Sequence, residues 1–249
     1  VQSYRCDIIA LQECESAAGE ETLLQTHELV GCAEAKESRG FVQLYARRGV
    51  EYEEVSMSTG GPCVALRLRS VSDEARDDGL VIVAVHLPSG TDRSGRRMHI
   101  LRDVFSRVGD ARGNVIVVGD LNAKDDEIRD ACKELRLQEA RYNGSSFGVQ
   151  GNKFDHSLQK RGFGERYDRA LFGKNVWAKS HLVGNGPVYF EGSEFWLSDH
   201  CGLLAYVDRC DAYGSKGKQH VIMAQARRRQ LVSVREQNNQ KELVEVKAR

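Results

Sequence analysis

Residues 114–122 read NVIVVGDLN. Four consecutive β-branched residues, Val115 to Val118, make a run too short for a buried helix and suited to a strand covered on both faces. The run ends in a Gly and then in three residues typical of a polar turn. Working outward, GLVIVAVHLPSG at 79–90 is a second strongly β-branched strand, ending at His86 ahead of Pro88. Between the two, Met98, Leu101, Val104, Phe105 and Val108 fall on one face of a helix over 93–108. CDIIALQE at 6–13 is a further short apolar run that closes on a carboxylate. Strands alternating with helices, together with hairpin-like strand pairs, predict an α/β layered sandwich with mixed sheets.

The remaining segments fill in that frame. ETLLQTHELVG at 21–31 has helical spacing and a terminal Gly. FVQLYARRG, EYEEVSMS and CVALRLRS are expected strands, the last two around the turn TGGP. Residues 125–135 read as a short helix. Residues 138–166 are irregular, Gly-rich and polar, and a loop of that length in a compact domain is usually functional. RYDRALFG and VWAKSHLVG read as paired strands, 184–197 as a second loop, and GLLAYVD as a last strand. A main domain over 1–209 is thus expected, followed over 210–249 by a basic linker and a C-terminal helix with a poor apolar stripe.

Composition narrows the class. The 249 residues carry 36 Lys+Arg against 36 Asp+Glu, with 41% hydrophobic residues, which suits a folded domain and not a disordered chain. No apolar run reaches the roughly 18–20 residues that cross a bilayer, so no membrane association is expected. The neutral total hides an asymmetry. Residues 211–249 hold nine Lys/Arg and four Asp/Glu, which leaves the body mildly acidic and argues against a surface built to coat nucleic acid throughout. The seven Cys include no CxxC pair, so buried reduced thiols and an intracellular location, nucleus or cytoplasm, are expected. No obligate protein partner is evident, and a monomer is expected.

The informative feature is where the polar residues fall. Glu13, His86, Asp120, Asn122, Asp168, Asp199 and His200 each lie at or just beyond the end of an apolar strand, where loops gather into sites. Glu13 is a hard oxygen ligand suited to Mg²⁺, which keeps several waters and takes one or two carboxylates; Mn²⁺ is the alternative ion. In GDLN, Asp120 is placed to orient or deprotonate a water, and Asn122 to donate to a phosphate oxygen. In Ser198-Asp199-His200, the imidazole can protonate or hydrogen-bond a pentavalent phosphate. Asp168 can orient that imidazole, and Asp199 can take a metal-bound water. Taken singly, each has an ordinary reading: a strand cap, a local turn, a surface imidazole. The ordered set over some 190 residues is far more specific.

LQE (11–13), VHL (85–87), VVGDLN (117–122), RYDRALF (166–172) and SDHCGLL (198–204) together resemble the endonuclease/exonuclease/phosphatase superfamily, the DNase-like fold. Within it, YDRALF, SDHCGLL and SSF at 145–147 are most similar to the tyrosyl-DNA phosphodiesterase type 2 branch. The resemblance implies a four-layer α/β sandwich of two packed mixed sheets flanked by helices. It implies Glu13 as the Mg²⁺ ligand, with Asp199 near the metal. Asp120 and Asn122 would position water and phosphate, and His86 and His200 would stabilise the transition state, with Asp168 orienting His200. Lys124 falls where that branch has an Arg on the DNA backbone, Ser198 opens the SDH turn at the substrate, and Phe147 offers a base a stacking face. The implied activity is Mg²⁺-dependent hydrolysis of a phosphodiester, most closely a 5′-phosphotyrosyl link to DNA in DNA repair. Rivals are an abasic endonuclease, a deadenylase, or a catalytically impaired binding module. The superfamily opens on a Thr-x-Asn strand ahead of LQE. This sequence begins at Val1, right at the strand that carries LQE, so one sheet is expected to lack a central strand.

Overall fold

The computed structural model describes residues 6–17, 21–35, 40–57, 61–69, 79–147, 165–183, 188–190, 193–195, 200–209 and 220–226. Two six-stranded sheets carry the fold. The second sheet is built from nearly consecutive chain: β4 (Tyr52–Val55), β5 (Cys63–Leu68), β6 (Leu80–His86), β7 (Val115–Asp120), β9 (Asp168–Phe172) and β8 (Gln138–Glu139), in that spatial order. Its β6 and β7 run parallel, joined by helix α2 (Ser94–Val108), and its other pairs are antiparallel. The parallel pair needs a crossover, and α2 supplies it.

The first sheet has the order β10 (Val176–Val183), β13 (Gly202–Arg209), β14 (His220–Ala226), β1 (Ile8–Cys14), β3 (Phe41–Arg47), β2 (His27–Glu34). A separate hairpin pairs β11 (Val188–Phe190) with β12 (Ser193–Phe195), inside the stretch read as loop. Strand alternation divides each sheet into two faces. Ile8, Ala10, Val42, Leu44 and Ile222 of the first sheet meet Leu66, Ile82, Ala84, Ile116, Val118 and Ala170 of the second in one core. The opposite face of the second sheet, with Val83, Val85, Val115 and Val117, packs under α2 and α3 (Asp125–Leu135) through Ile100, Leu101, Val104, Phe105, Ile128 and Ala131. Ile9, Leu11, Tyr45 and Leu204 on the far side of the first sheet pack with Leu23 of α1 (Glu21–Leu24). Each fully buried aliphatic side chain in these layers contributes about 1.5–3 kcal/mol.

Three expectations are corrected. RYDRALFG and VWAKSHLVG, read as paired strands, lie in different sheets: β9 pairs with β7 and β8, and β10 with β13, because each finds a longer partner there than in the other. Residues 21–31 are one helical turn and then strand β2, because His27 to Glu34 finds a partner in β3. Long-range pairing overrides a helical pattern of this length. Residues 220–226 are a strand and not part of a helix. β14 lies parallel to β1, from Ile8 beside Ile222 to Gln12 beside Ala226, and antiparallel to β13. No strand precedes β1 among the described residues. The place beside β1 is filled from the C-terminal end, so the sheet runs past residue 209. Poor amphipathicity, which reads as a weak helix, is equally what a strand buried in the middle of a sheet presents.

Candidate active site

The inter-sheet core of the second sheet ends in a polar row. Along β6 the residues facing the first sheet are Ile82 and Ala84, and the next in phase is His86. Along β7 they are Ile116 and Val118, and the next is Asp120. On β9, Ala170 and Phe172 share that face with Asp168. Register places His86 beside Asp120 and Asp120 beside Asp168, so three polar groups on three adjacent strands stand shoulder to shoulder. All three are buried. Gly119, at φ 137°, allows this close approach: a Cβ there would lie 2.1 Å from the Val85 carbonyl oxygen.

Glu13 arrives from the facing sheet. In β1 the inward residues are Ile8 and Ala10, so simple alternation turns position 13 away from the core. A register shift between Leu11 and Cys14, with Glu13 at φ 56°, breaks the alternation. Its carboxylate thereby comes to 3.9 Å from His86 Nε2. Gly40 backs the bulge, since a Cβ at Gly40 would lie 3.0 Å from the Glu13 Cα.

Around Asp120 the contacts are specific. Its Oδ2 lies 3.6 Å from His86 Nε2 and 4.0 Å from His200 Nε2, flanked by both imidazoles. Asn122, in the left-handed region at φ 49°, donates its backbone N–H to Asp120 Oδ1 at 2.8 Å. Its side-chain Nδ2 donates to Asp120 Oδ2 at 3.0 Å and to the Leu87 carbonyl at 2.9 Å. The amide hydrogens expected to meet a phosphate are therefore directed to Asp120 and Leu87. Asn122 holds the carboxylate. His200 Nδ1 lies 2.8 Å from Asp168 Oδ2, the imidazole–carboxylate pair that the sequence predicts.

Burial sets the electrostatics. It pushes the Asp120 carboxyl up to about 6, with the nearby His200 as the largest opposing influence. Burial also lowers His86, opposed by the Asp120 carboxylate, so that imidazole is biased to the neutral form. Behind His86, the buried Arg97 of α2 donates through Nη1 to the carbonyls of Pro88 and Gly90 at 2.9 and 2.7 Å. Arg97 also pairs with Glu127 of α3 at 2.7 Å, which pins the chain as it leaves β6.

The structure thus gathers Glu13, His86, Asp120, Asn122, Asp168 and His200. Phe147 is beside them, its ring centroid 4.9 Å from that of His200 and 5.4 Å from that of Tyr167. Lys124 is exposed at the turn leading into α3, outside these contacts. Ser198 and Asp199 lie outside the described residues. Sequence reasoning quoted Ser146 only within SSF and gave it no role, and missed Tyr142, whose side chain with that of Ser146 holds the backbone at Asp168, and Arg97; a lone Tyr or helix Arg carries no distinguishing sequence signal. Cys6, Cys14, Cys63 and Cys201 are buried free thiols, as expected, while Cys32 and Cys132 are partly exposed. No helix among the described residues is long and apolar enough to cross a membrane.

Among the described residues, no three His, Cys, Asp or Glu side chains gather tightly enough to enclose a metal ion. A hard, hydrated dication needs only one or two carboxylates, and the partly exposed carboxylate of Glu13 at the rim of the cluster fits such an ion.

Two mixed sheets packed face to face, with a carboxylate–imidazole cluster at one end, define a class of hydrolase. The chain belongs to the Endonuclease/Exonuclease/phosphatase family, which it matches over residues 1–200. Members of this family are hydrolases, nucleases and phosphatases among them. Solved structures of similar fold include truncated TDP2 from Caenorhabditis elegans, with 16% identity, 83% of this chain and 85% of that one covered, and a TM-score of 0.60. D. rerio TDP2 complexed with single strand DNA product is similar at 19% identity over 81% and 86% of the two chains, with a TM-score of 0.52. The mannosyl-6-phosphatase Bt3783 of Bacteroides thetaiotaomicron reaches a TM-score of 0.59 at 13% identity over 83% and 86%. A search of curated proteins finds no match to the sequence.

Proposed function

We propose that this chain is a divalent-metal-dependent phosphodiesterase that hydrolyses its substrate by in-line attack of water. The observation that carries this reading is a single one. Asp120 Oδ2 sits between two imidazole Nε2 atoms, at 3.6 and 4.0 Å, with one of those imidazoles backed by Asp168 and the Glu13 carboxylate across the cleft. In this reading Asp120 orients the water and takes its proton, and Asn122 keeps the carboxylate aimed. His86, biased to neutrality, hydrogen-bonds a phosphoryl oxygen. His200, with Nδ1–H given to Asp168, presents Nε2 to the same group. Glu13 would hold Mg²⁺, or Mn²⁺ in its place, with Asp199 on the ion's water shell. The ion supplies positive charge beside the phosphoryl oxygens when bound.

For the substrate we infer DNA bearing a 5′-phosphotyrosyl adduct, with a 5′-phosphate end as product and a role in DNA repair. Support comes from the YDRALF, SDHCGLL and SSF motifs and from the fold shared with TDP2. Lys124 and Ser198 then serve the DNA backbone. Phe147, packed on His200, is less available for base stacking than the sequence implies. An intracellular, nuclear or cytoplasmic monomer is consistent with this reading. The test is turnover of a 5′-phosphotyrosyl oligonucleotide against abasic DNA, poly(A) and a sugar phosphate, with Mg²⁺, with Mn²⁺ and with chelator. Metal-dependent release of tyrosine is expected to dominate. Preference for another substrate would redirect the specificity, and DNA binding with no turnover on any of them would make the chain a binding module.

A further inference from the structure

The backbone at Asp168 has a problem that one side chain solves. Strand β9 pairs with β7 along its whole length, but β8 covers its other edge only at Leu171 and Phe172, and the Ala140 N–H reaches Ala170 before the chain turns away. The N–H groups of Tyr167 and Asp168 lie beyond the residues that β8 pairs, in a place where Asp168 is fully buried. Ser146, itself fully buried, fills the gap. Its Oγ accepts from both N–H groups, at 3.0 Å each. The Tyr142 hydroxyl donates to the Asp168 carbonyl at 2.7 Å, so the same peptide is held at its oxygen as well. The Ser146 carbonyl accepts the Cys201 N–H at 2.6 Å, so the same residue grips the chain next to His200. Phe147, its neighbour, lies in β-bridges with both Glu165 and His200.

One residue therefore bonds the Asp168 backbone and the peptide that follows His200, whose side chains pair across 32 residues of chain. We propose that Ser146 is a positioning residue. It sets the Asp168 carboxylate and the His200 backbone in one frame, so that the Nδ1–Oδ2 bond forms without reorganisation. The inference deepens the proposed phosphodiesterase reading and rests on it for its kinetic consequence, but the hydrogen bond it explains exists independently of substrate.

Ser146→Ala in the full chain removes the acceptor shared by two N–H groups, that of Asp168 being buried. The expected result is a loss in kcat of about ten- to hundredfold, with KM within about twofold, as for a misplaced catalytic group. The low-field proton resonance of His200 Nδ1 should weaken or vanish while the remaining spectrum stays that of a folded protein. In an Asp168→Asn background, Ser146→Ala should change kcat by less than about twofold, because the pair it aligns is already broken. Ser146→Cys keeps the size and weakens the acceptor, and it replaces the alanine variant if that does not fold. An equal loss in the Asp168→Asn background, or an unchanged resonance with unchanged kcat, would overturn the proposal. Should the wild-type chain hydrolyse no substrate, the phosphodiesterase reading fails, and the resonance alone decides the role of Ser146: its loss supports the role and its persistence ends it.

Discussion

The two sheets reach the cluster by different routes. In the second sheet, the polar row His86, Asp120, Asp168 continues the phase of the buried core, two residues from the inward Ala84, Val118 and Ala170. In the first sheet, Glu13 is out of phase and faces the cluster only because a bulge with positive φ turns it. The second sheet is also made of nearly consecutive chain, whereas the first places the C-terminal β14 between β13 and β1. A strand end in phase with its core supplies a site residue with no break in alternation, although Gly119 at φ 137° is needed just before Asp120. A residue on the opposing sheet needs local strain, held by its surroundings.

The sharpest way to break this comparison is to remove one charge from each route. Asp120→Asn and Glu13→Gln are each expected to reduce hydrolysis by roughly a thousandfold or more, measured on the 5′-phosphotyrosyl oligonucleotide with the fold checked by circular dichroism. If only Asp120→Asn is damaging, the bulge delivers Glu13 for some other purpose. Next is the strand from the C-terminal end. Ile222 is fully buried in the inter-sheet core, so Ile222→Ala should cost about 2–5 kcal/mol in denaturant unfolding. A solvated C-terminal helix would lose almost nothing from the same change.

Gly40→Ala probes the bulge without touching a polar group. The added Cβ crowds the backbone of Glu13, at a φ of 94° that disfavours any side chain. Activity should fall by about tenfold or more as Glu13 is displaced, while Ala at the exposed Gly49 serves as the control for a positive-φ glycine with open space. The smallest effect is a pH dependence. The folded-state pKa of Asp120 lies above the unfolded value, so the folded protein binds the extra proton. Stability associated with that proton is complete below about pH 4 and lost as pH rises through about 6. Asp120→Asn should therefore raise Tm by a few degrees above pH 6, roughly 2–4 °C, with the gain fading toward pH 4. In the wild type, ionisation of the same carboxyl should make hydrolysis rise through about pH 6.

Much of the second sheet was legible in sequence. The β-branched runs that end at His86 and Asp120 announce both the strands and their polar ends. The order of motifs also identified Asp168 and His200 as partners, now 2.8 Å apart. The first sheet was less legible. His27–Glu34 carries helical spacing and becomes a strand because β3 lies alongside it, and His220–Ala226 is polar at its flanks and pairs only because β1 and β13 leave it a place. Asn122 was expected to face a phosphate and instead steadies Asp120, a choice made by the left-handed turn after β7.

Amino-acid order alone determined the layered architecture, the strands of the second sheet and the residue types of the cluster, because alternation and β-branching are properties of a few neighbouring residues. Tertiary structure alone decided that a C-terminal segment sits beside β1, that Glu13 turns inward, and that Ser146 and Tyr142 hold Asp168. Each depends on a partner that is distant in the chain, or on a φ angle that only packing can enforce. Local pattern carries no record of either.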